Sequence, residues 1–151
     1  MYQLKLPVKF QLVCDKNKIA EAKNYPFIEF LGEITQKEQL DNIYKQANGM
    51  LITSENEGGL PLSGMEAMAN GLALITTDVG DASIHIANYK NGFVTSANDA
   101  GTVVAEMMVF IKTLCEDRKL LEVISGNAYE YAKSNFSRNI FCNSYRTLLG
   151  F

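Results

Sequence analysis

The sequence predicts an α/β fold: one three-layer α/β/α domain with a mostly parallel sheet, ending in helices. Two observations predict it. Between residues 8 and 96, short apolar segments alternate with helix-like segments, and strands joined by helices pair in parallel with helices on both faces. After residue 98, apolar residues recur at helical spacing. The chain has 151 residues, 47% of them apolar, so we expect residues 1–151 to form a single domain around one core.

Five segments are predicted as strands because they are short, apolar and rich in β-branched or aromatic residues. They are residues 8–14, 27–32, 49–54, 72–77 and 92–96. The third segment, GMLITS, is nearly all apolar before its polar end. This pattern is typical of a strand that is covered on both faces.

Helices are predicted between these strands and throughout the last third of the chain. The first spans residues 35–47, and the second spans residues 61–70, with Pro61 at its first position and Gly71 past its end. A short helix is predicted at residues 81–87. Three apolar stripes follow after residue 98, and each predicts an amphipathic helix that packs on the core.

Composition and charge exclude several classes of protein. The formal net charge of −3 leaves no electrostatic footprint for nucleic acid or an acidic membrane. The first 13 residues lack the long apolar stretch of a secretory signal. Cys14, Cys115 and Cys142 are odd in number and far apart, which favours reduced thiols in a cytoplasmic protein.

A glycine-rich segment, ENEGGLP, occupies residues 55–61, after the third predicted strand and before a helix. In open parallel sheets, ligands bind at the carboxyl ends of the strands. Gly58 and Gly59 permit close backbone approaches, and a helix start favours an anion. The segment is therefore either a cradle for phosphate or sugar hydroxyls, or simply a tight strand-to-helix turn.

Glu66 is the only charged residue between Glu57 and Asp78. Its helix is apolar or small on nearly all sides, so we expect Glu66 to be buried. A buried carboxylate needs donors: backbone amides, a cation or the hydroxyl groups of a ligand. A structural carboxylate that caps a neighbouring loop is the other interpretation.

The order FLG, EGGLPLSGMEAMANG, TTDVG and NGFV, within residues 26–95, resembles the C-terminal, nucleotide-sugar-binding domain of GT-B glycosyltransferases. The resemblance is to the retaining group 1, or family 4, type. It implies a Rossmann-like domain that is one half of the GT-B fold. It also implies an N-terminal acceptor-binding domain absent from this chain, without which the chain is inactive.

The resemblance implies a role for each matching residue. Glu57 matches the first glutamate of a paired motif, which contacts the transferred sugar, and is the candidate catalytic residue. Glu66 matches the second, which accepts hydrogen bonds from the donor's ribose hydroxyls. No metal or other cofactor is implied. The implied donor-binding residues are Gly32, Glu33, Gly58, Gly59, Leu60, Pro61, Leu62 and Glu66.

The sequence departs from the family pattern at three points. Glu57 and Glu66 enclose eight residues, one more than in the family motif. Asp81 stands where the family usually has a second glycine after Gly80. No counterparts of the Arg and Lys that neutralise the donor diphosphate are found.

The only histidine, His85, is predicted to be a surface or helix-end residue. A metal-binding pair of Asp78 and Asp81 is not expected.

The implied activity of the parent enzyme is transfer of a sugar from a nucleotide-diphosphate sugar with retention of configuration. The resemblance implies polysaccharide, lipopolysaccharide or other glycoconjugate synthesis, in the cytoplasm or at the inner face of the membrane. Any peripheral membrane association would run through the absent domain. The alternatives are a non-catalytic nucleotide-binding module, a flavodoxin-like domain of unrelated function, and a GT-B epimerase.

Overall fold

The computed structural model describes residues 6–15, 17, 19, 24–96 and 99–150. The chain forms two compact units, residues 1–46 and residues 47–151. The first five residues of the segment that we examined for a secretory signal lie outside the described part. The assignment of residues 1–151 to one domain stays a prediction.

In its described residues, the first unit contains two short parallel strands and one helix. Strand β1 (Phe10–Leu12) pairs with β2 (Ile28–Phe30), and α1 spans Lys37–Gln46. Beside the strands, the Lys9 ammonium lies 2.7 Å from the Glu29 carboxylate. This contact, together with a hydrogen bond from Gln11, lowers the pKa of Glu29.

The second unit is built on a three-stranded parallel sheet. Its strands are β3 (Gly49–Ile52), β4 (Ala73–Thr76) and β5 (Phe93–Val94), with β4 in the centre. All four residues of β4 are buried because packed groups cover both faces of this strand, as expected for parallel sheets. The predicted α/β class with a parallel sheet is confirmed.

Two apolar clusters form the core of the second unit, one on each face of β4. Ala73 and Ile75 belong to one cluster and Leu74 to the other, because successive side chains of a strand point to opposite faces. The described residues of this unit form five helices. They are α2 (Leu62–Ala69), α3 (Ala82–His85), α4 (Ala100–Glu116), α5 (Arg118–Asn135) and α6 (Arg138–Leu149). Of these, α2, α4 and α5 pack against the strands.

The C-terminal helices confirm the helical prediction for the end of the chain. Asp99, Asp117 and Ser137 cap α4, α5 and α6, and each side chain accepts a hydrogen bond from a backbone N–H of its helix. Helix α5 contributes to both core clusters, whereas α6 has no buried residue. The prediction that the apolar stripe of α6 packs on the core is therefore wrong, because its large apolar side chains are exposed. In the described part of the chain, no helix has the length and apolarity needed to cross a membrane.

Candidate functional site

The carboxyl ends of β3, β4 and β5 are tied together by hydrogen bonds. The backbone N–H of Thr77 donates to the Ile52 carbonyl at 3.1 Å, and its hydroxyl donates to the Ser54 carbonyl at 2.6 Å. On the other side, the Thr95 N–H donates to the Thr76 carbonyl at 3.0 Å. The loop that follows β3 therefore begins from a fixed position at the edge where ligands of parallel sheets bind.

That loop, residues 55–60, which we call the glycine loop, lies against the turn that follows β4. Gly80 has φ +60°, and a Cβ built on it would lie 2.6 Å from both the backbone N and the backbone O of Gly59. Only glycine fits there, because other residues rarely adopt this conformation and any side chain would overlap the loop. The two loops therefore pack backbone against backbone.

A side chain from the same turn completes the contact. The backbone N–H of Leu60 donates to the Asp81 carboxylate at 2.5 Å. The other oxygen of Asp81 lies 3.3 Å from Nε2 of His85, and Nδ1 of His85 lies 3.0 Å from the Tyr131 hydroxyl on α5. A chain of polar contacts thus runs from the glycine loop through α3 to α5.

His85 lies at a helix end, as one of its two predicted placements had it. It is the last residue of α3, and its side chain is 22% exposed, so it is only partly accessible from the surface. The rings of Tyr131 and Phe136 lie 6.1 Å and 5.3 Å away in edge-to-face contact and shield part of the imidazole from solvent.

Helix α2 begins directly after the glycine loop and has an open first turn. It starts at Leu62, and Pro61 is its N-cap rather than its first helical residue. Pro61 forms no side-chain hydrogen bond to the helix. The first helical bonds run from the N–H groups of Gly64 and Met65 to the Pro61 carbonyl. The amides of Leu62 and Ser63 precede these bonds and point toward the helix start, where an anion is favoured.

Glu66 is exposed, so the prediction that it is buried is wrong. The core face of α2 consists of Gly64, Ala67 and Met68. At about 100° per residue, Glu66 falls on the opposite face. The small residues around it therefore reflect close packing on the other side of the helix. Glu57, the candidate catalytic residue, is half-buried within the glycine loop.

The remaining loop residues lie in one continuous segment. Gly58 is exposed, Gly59 half-buried and Leu60 buried at 4% exposure, while Leu62 is 70% exposed. Leu60 anchors the loop in the core. The second unit therefore holds the predicted residues from Glu57 to Glu66 on a single loop and helix.

Gly32 and Glu33, the other two predicted donor-binding residues, belong to the first unit. They follow β2 and line a cleft of about 530 Å³ together with Asp15, Phe30 and Leu31. Gly32 adopts φ +77°, a turn conformation that favours glycine. The cleft lies at the carboxyl ends of the two strands of this unit, where ligands of parallel sheets bind.

Sequence reasoning missed the connection from Asp81 to Tyr131. Asp81 was visible only as a departure from the family motif. Tyr131 lies 46 residues from His85, and no local pattern links the two.

In the described part of the chain, no group of three or more His, Cys, Asp or Glu side chains is placed to hold a metal ion.

Comparison with protein families connects these features to a known class of enzymes. Residues 13–131 match the family of glycosyl transferases group 1. The chain belongs to this family. The match includes the strand ends, the glycine loop and all of α2 and α3. No curated protein resembles the chain closely enough to count as a relative.

Solved glycosyltransferase structures share the fold. The C-terminal domain of a glycosyl transferase group 1 family protein, LpcC from Francisella tularensis, is 23% identical with a TM-score of 0.64, and the match covers 82% of this chain and 60% of that one. Anabaena HepE in complex with UDP-glucose is 23% identical with a TM-score of 0.70, covering 89% and 35%. The pneumococcal O-GlcNAc transferase GtfA, in complex with UDP and GlcNAc, is 24% identical with a TM-score of 0.68, covering 89% and 26%.

The chain therefore spans 60% of the LpcC domain and about a third or less of the two other proteins. At these identities the likeness establishes the α/β fold that the GT-B resemblance implied.

Proposed function

We propose that this chain is the donor-binding domain of a retaining glycosyltransferase. The parent enzyme transfers a sugar from a nucleotide-diphosphate sugar to an acceptor in polysaccharide, lipopolysaccharide or other glycoconjugate synthesis. It works in the cytoplasm or at the inner face of the membrane, with an N-terminal domain that holds the acceptor. One observation carries the proposal: a glycine loop leads into an open helix start at the carboxyl edge of a parallel sheet, in a chain of the glycosyl transferase family.

The helix start is the proposed seat of the donor diphosphate. The amides of Leu62 and Ser63 and the positive end of the α2 dipole attract negative charge. No described atom lies within 4 Å of the position that a Cβ on Gly58 would occupy. This space is open to the phosphates, and glycine places no side chain between them and the loop backbone. As the sugar leaves, negative charge grows on the diphosphate, and fixed donors aimed at it lower the barrier.

The ribose defines the next part of the proposed site in the second unit. Glu66 is exposed on α2, and a carboxylate accepts hydrogen bonds from two neighbouring hydroxyls. Glu66 would therefore bind ribose and take no part in proton transfer. For the first unit, taken by itself, we propose that the cleft beside Gly32 and Glu33 binds the base.

The diphosphate needs more positive charge than this site contains. The sequence has no Lys or Arg between Lys45 and Lys90, the stretch that includes the glycine loop and α2. We therefore propose that basic side chains from elsewhere in the parent enzyme complete the site, and that transfer needs no metal.

The test is a titration of the chain with UDP, GDP, ADP, CMP and dTDP, in which ligand-observed NMR detects binding. The nucleotide that binds is then compared with its 2′-deoxy form. If Glu66 binds ribose, the wild type prefers the ribose form by about tenfold, and Glu66→Ala removes that preference. The matched control is Glu122→Ala, which removes an exposed carboxylate on α5 and changes the net charge equally.

The outcomes separate the interpretations. A preference for ribose that disappears in Glu66→Ala and persists in Glu122→Ala supports the donor site. Equal binding of both forms by the wild type, or a preference unchanged in Glu66→Ala, contradicts it.

A non-catalytic nucleotide-binding module is the second candidate. The lack of Lys and Arg around the glycine loop favours it, since catalysis needs the leaving group neutralised. Both candidates predict Glu66-dependent binding. Sugar transfer by the complete parent protein distinguishes them, because a module without catalysis leaves the nucleotide sugar intact.

A further inference from the structure

We propose that Asp81 is a positioning residue for the donor site. Its carboxylate holds the glycine loop in the shape that meets the donor phosphates, and His85 and Tyr131 hold the carboxylate. The inference rests on the proposed function, because the loop is taken to bind the donor. It concerns a residue at which this chain differs from the family pattern.

The side chain of Asp81 does not cap its own helix. Asp81 is the N-cap of α3, where an aspartate ordinarily accepts a hydrogen bond from the first turn. It forms no such capping bond. Its carboxylate instead accepts the N–H of Leu60, which lies 21 residues earlier. This geometry assigns the side chain to the glycine loop.

The glycine loop contains no helix or strand that would fix its backbone. Its conformation between β3 and α2 therefore depends on contacts with neighbouring segments. Each residue of such a loop loses conformational freedom when it is ordered. A hydrogen bond at Leu60, the last loop residue before Pro61, limits this freedom where the loop meets the helix start.

The carboxylate itself is held from the other side. His85 bridges Asp81 and the Tyr131 hydroxyl, at 3.3 Å and 3.0 Å. Tyr131 is part of α5, which packs against α2 and β4. Because α5 belongs to the core, the chain of contacts connects the glycine loop to a rigid element. Asp81 is 43% exposed, so its orientation depends on these partners.

The experiment compares Asp81→Ala with Asp81→Asn. Alanine removes the acceptor. Asparagine keeps an oxygen for the Leu60 N–H, and its amide can donate to His85 in the matching tautomer. The matched control is Asp78→Ala, which removes a neighbouring exposed carboxylate and gives the same change in charge. Two quantities are measured: hydrogen exchange at the Leu60 amide, and affinity for UDP.

In Asp81→Ala, we expect exchange at Leu60 to rise and UDP affinity to fall, each by about tenfold. Asp81→Asn and Asp78→Ala should stay within about twofold of the wild type, since neither loses the acceptor. Tyr131→Phe removes one hydroxyl far from the loop and should give a smaller change in the same direction. A general loss of stability would raise exchange at buried amides throughout the second unit, whereas the proposed role raises it at Leu60.

Unchanged exchange at Leu60 in Asp81→Ala overturns the inference, as does UDP binding equal to or tighter than that of the wild type. Should Asp81→Ala fail to fold, Tyr131→Phe decides by the same two readouts. Failure of the proposed function gives a different result. The ribose preference is then unchanged in Glu66→Ala, while exchange at the Leu60 amide still rises in Asp81→Ala. If UDP does not bind the wild type, the donor role of Asp81 fails with the proposed function.

Discussion

Gly80 and Gly59 touch backbone to backbone, so that a Cβ on Gly80 would lie 2.6 Å from both the N and the O of Gly59. This contact joins the loop after β3 to the turn after β4. It sets the position from which the glycine loop leads into α2. The first prediction tests it directly.

Gly80→Ala should lower the free energy of unfolding by more than about 1–2 kcal/mol, the cost of the left-handed conformation alone, because the overlap with Gly59 adds to it. Urea unfolding measures the change. The control is Gly58→Ala, where a Cβ meets nothing within 4 Å and the expected change is within about 0.5 kcal/mol. Equal stability of the two variants would show that the loop moves aside freely.

On the proposed function, Glu57→Gln should weaken binding of the donor nucleotide sugar, with UDP-glucose as the probe, by about tenfold and leave binding of UDP unchanged. The resemblance places the first glutamate on the transferred sugar, which UDP lacks. Calorimetric titration with both ligands measures the two affinities.

Glu55→Gln is the control for this prediction, since Glu55 lies in the same loop and is exposed. A larger effect at Glu55 than at Glu57 would move the sugar contact to Glu55. Glu55 and Glu57 are the two carboxylates of the glycine loop, so the comparison of the two variants tests the assignment directly.

Asp99 should stabilise α4 in a pH-dependent way. Its carboxylate accepts the Thr102 N–H at 3.0 Å, and this bond lowers the pKa of Asp99 below its ordinary value of 3.8. A lowered pKa means that the stabilisation is present above pH 3.8 and is lost as the pH falls through the pKa of the folded state.

Asp99→Asn tests this, because asparagine keeps the cap without the charge. The melting temperature of the variant should be lower than that of the wild type at neutral pH, and the two melting temperatures should converge at acidic pH. Glu122→Gln on the exposed face of α5 is the control. A gap that is constant over the whole pH range contradicts the linkage.

Metal independence is tested by binding. We expect the affinity for UDP to stay within about twofold when EDTA replaces magnesium, because backbone amides supply the proposed phosphate contacts. A loss of binding in EDTA that magnesium restores would assign the diphosphate to a metal ion.

Local patterns in the sequence predicted the elements of the fold. Alternating apolar segments predicted the parallel strands, as β4 and its neighbours confirm, and helical stripes predicted α4 to α6. Periodicity and turn residues express preferences of neighbouring residues, so they can be read without the fold. The family motif likewise placed the glycine loop between β3 and α2.

Glu66 shows where local patterns stop. Its apolar neighbours predicted burial, but which face of α2 meets the core depends on β3, β4 and α5. Asp81, His85 and Tyr131 show the same limit, since His85 and Tyr131 lie 46 residues apart and meet only because α5 packs beside α3. The order of the elements and the position of the glycine loop follow from preferences of neighbouring residues, so they could be predicted without the fold. Which carboxylate faces solvent and which one accepts the Leu60 N–H could not, because both depend on contacts between residues far apart in the chain.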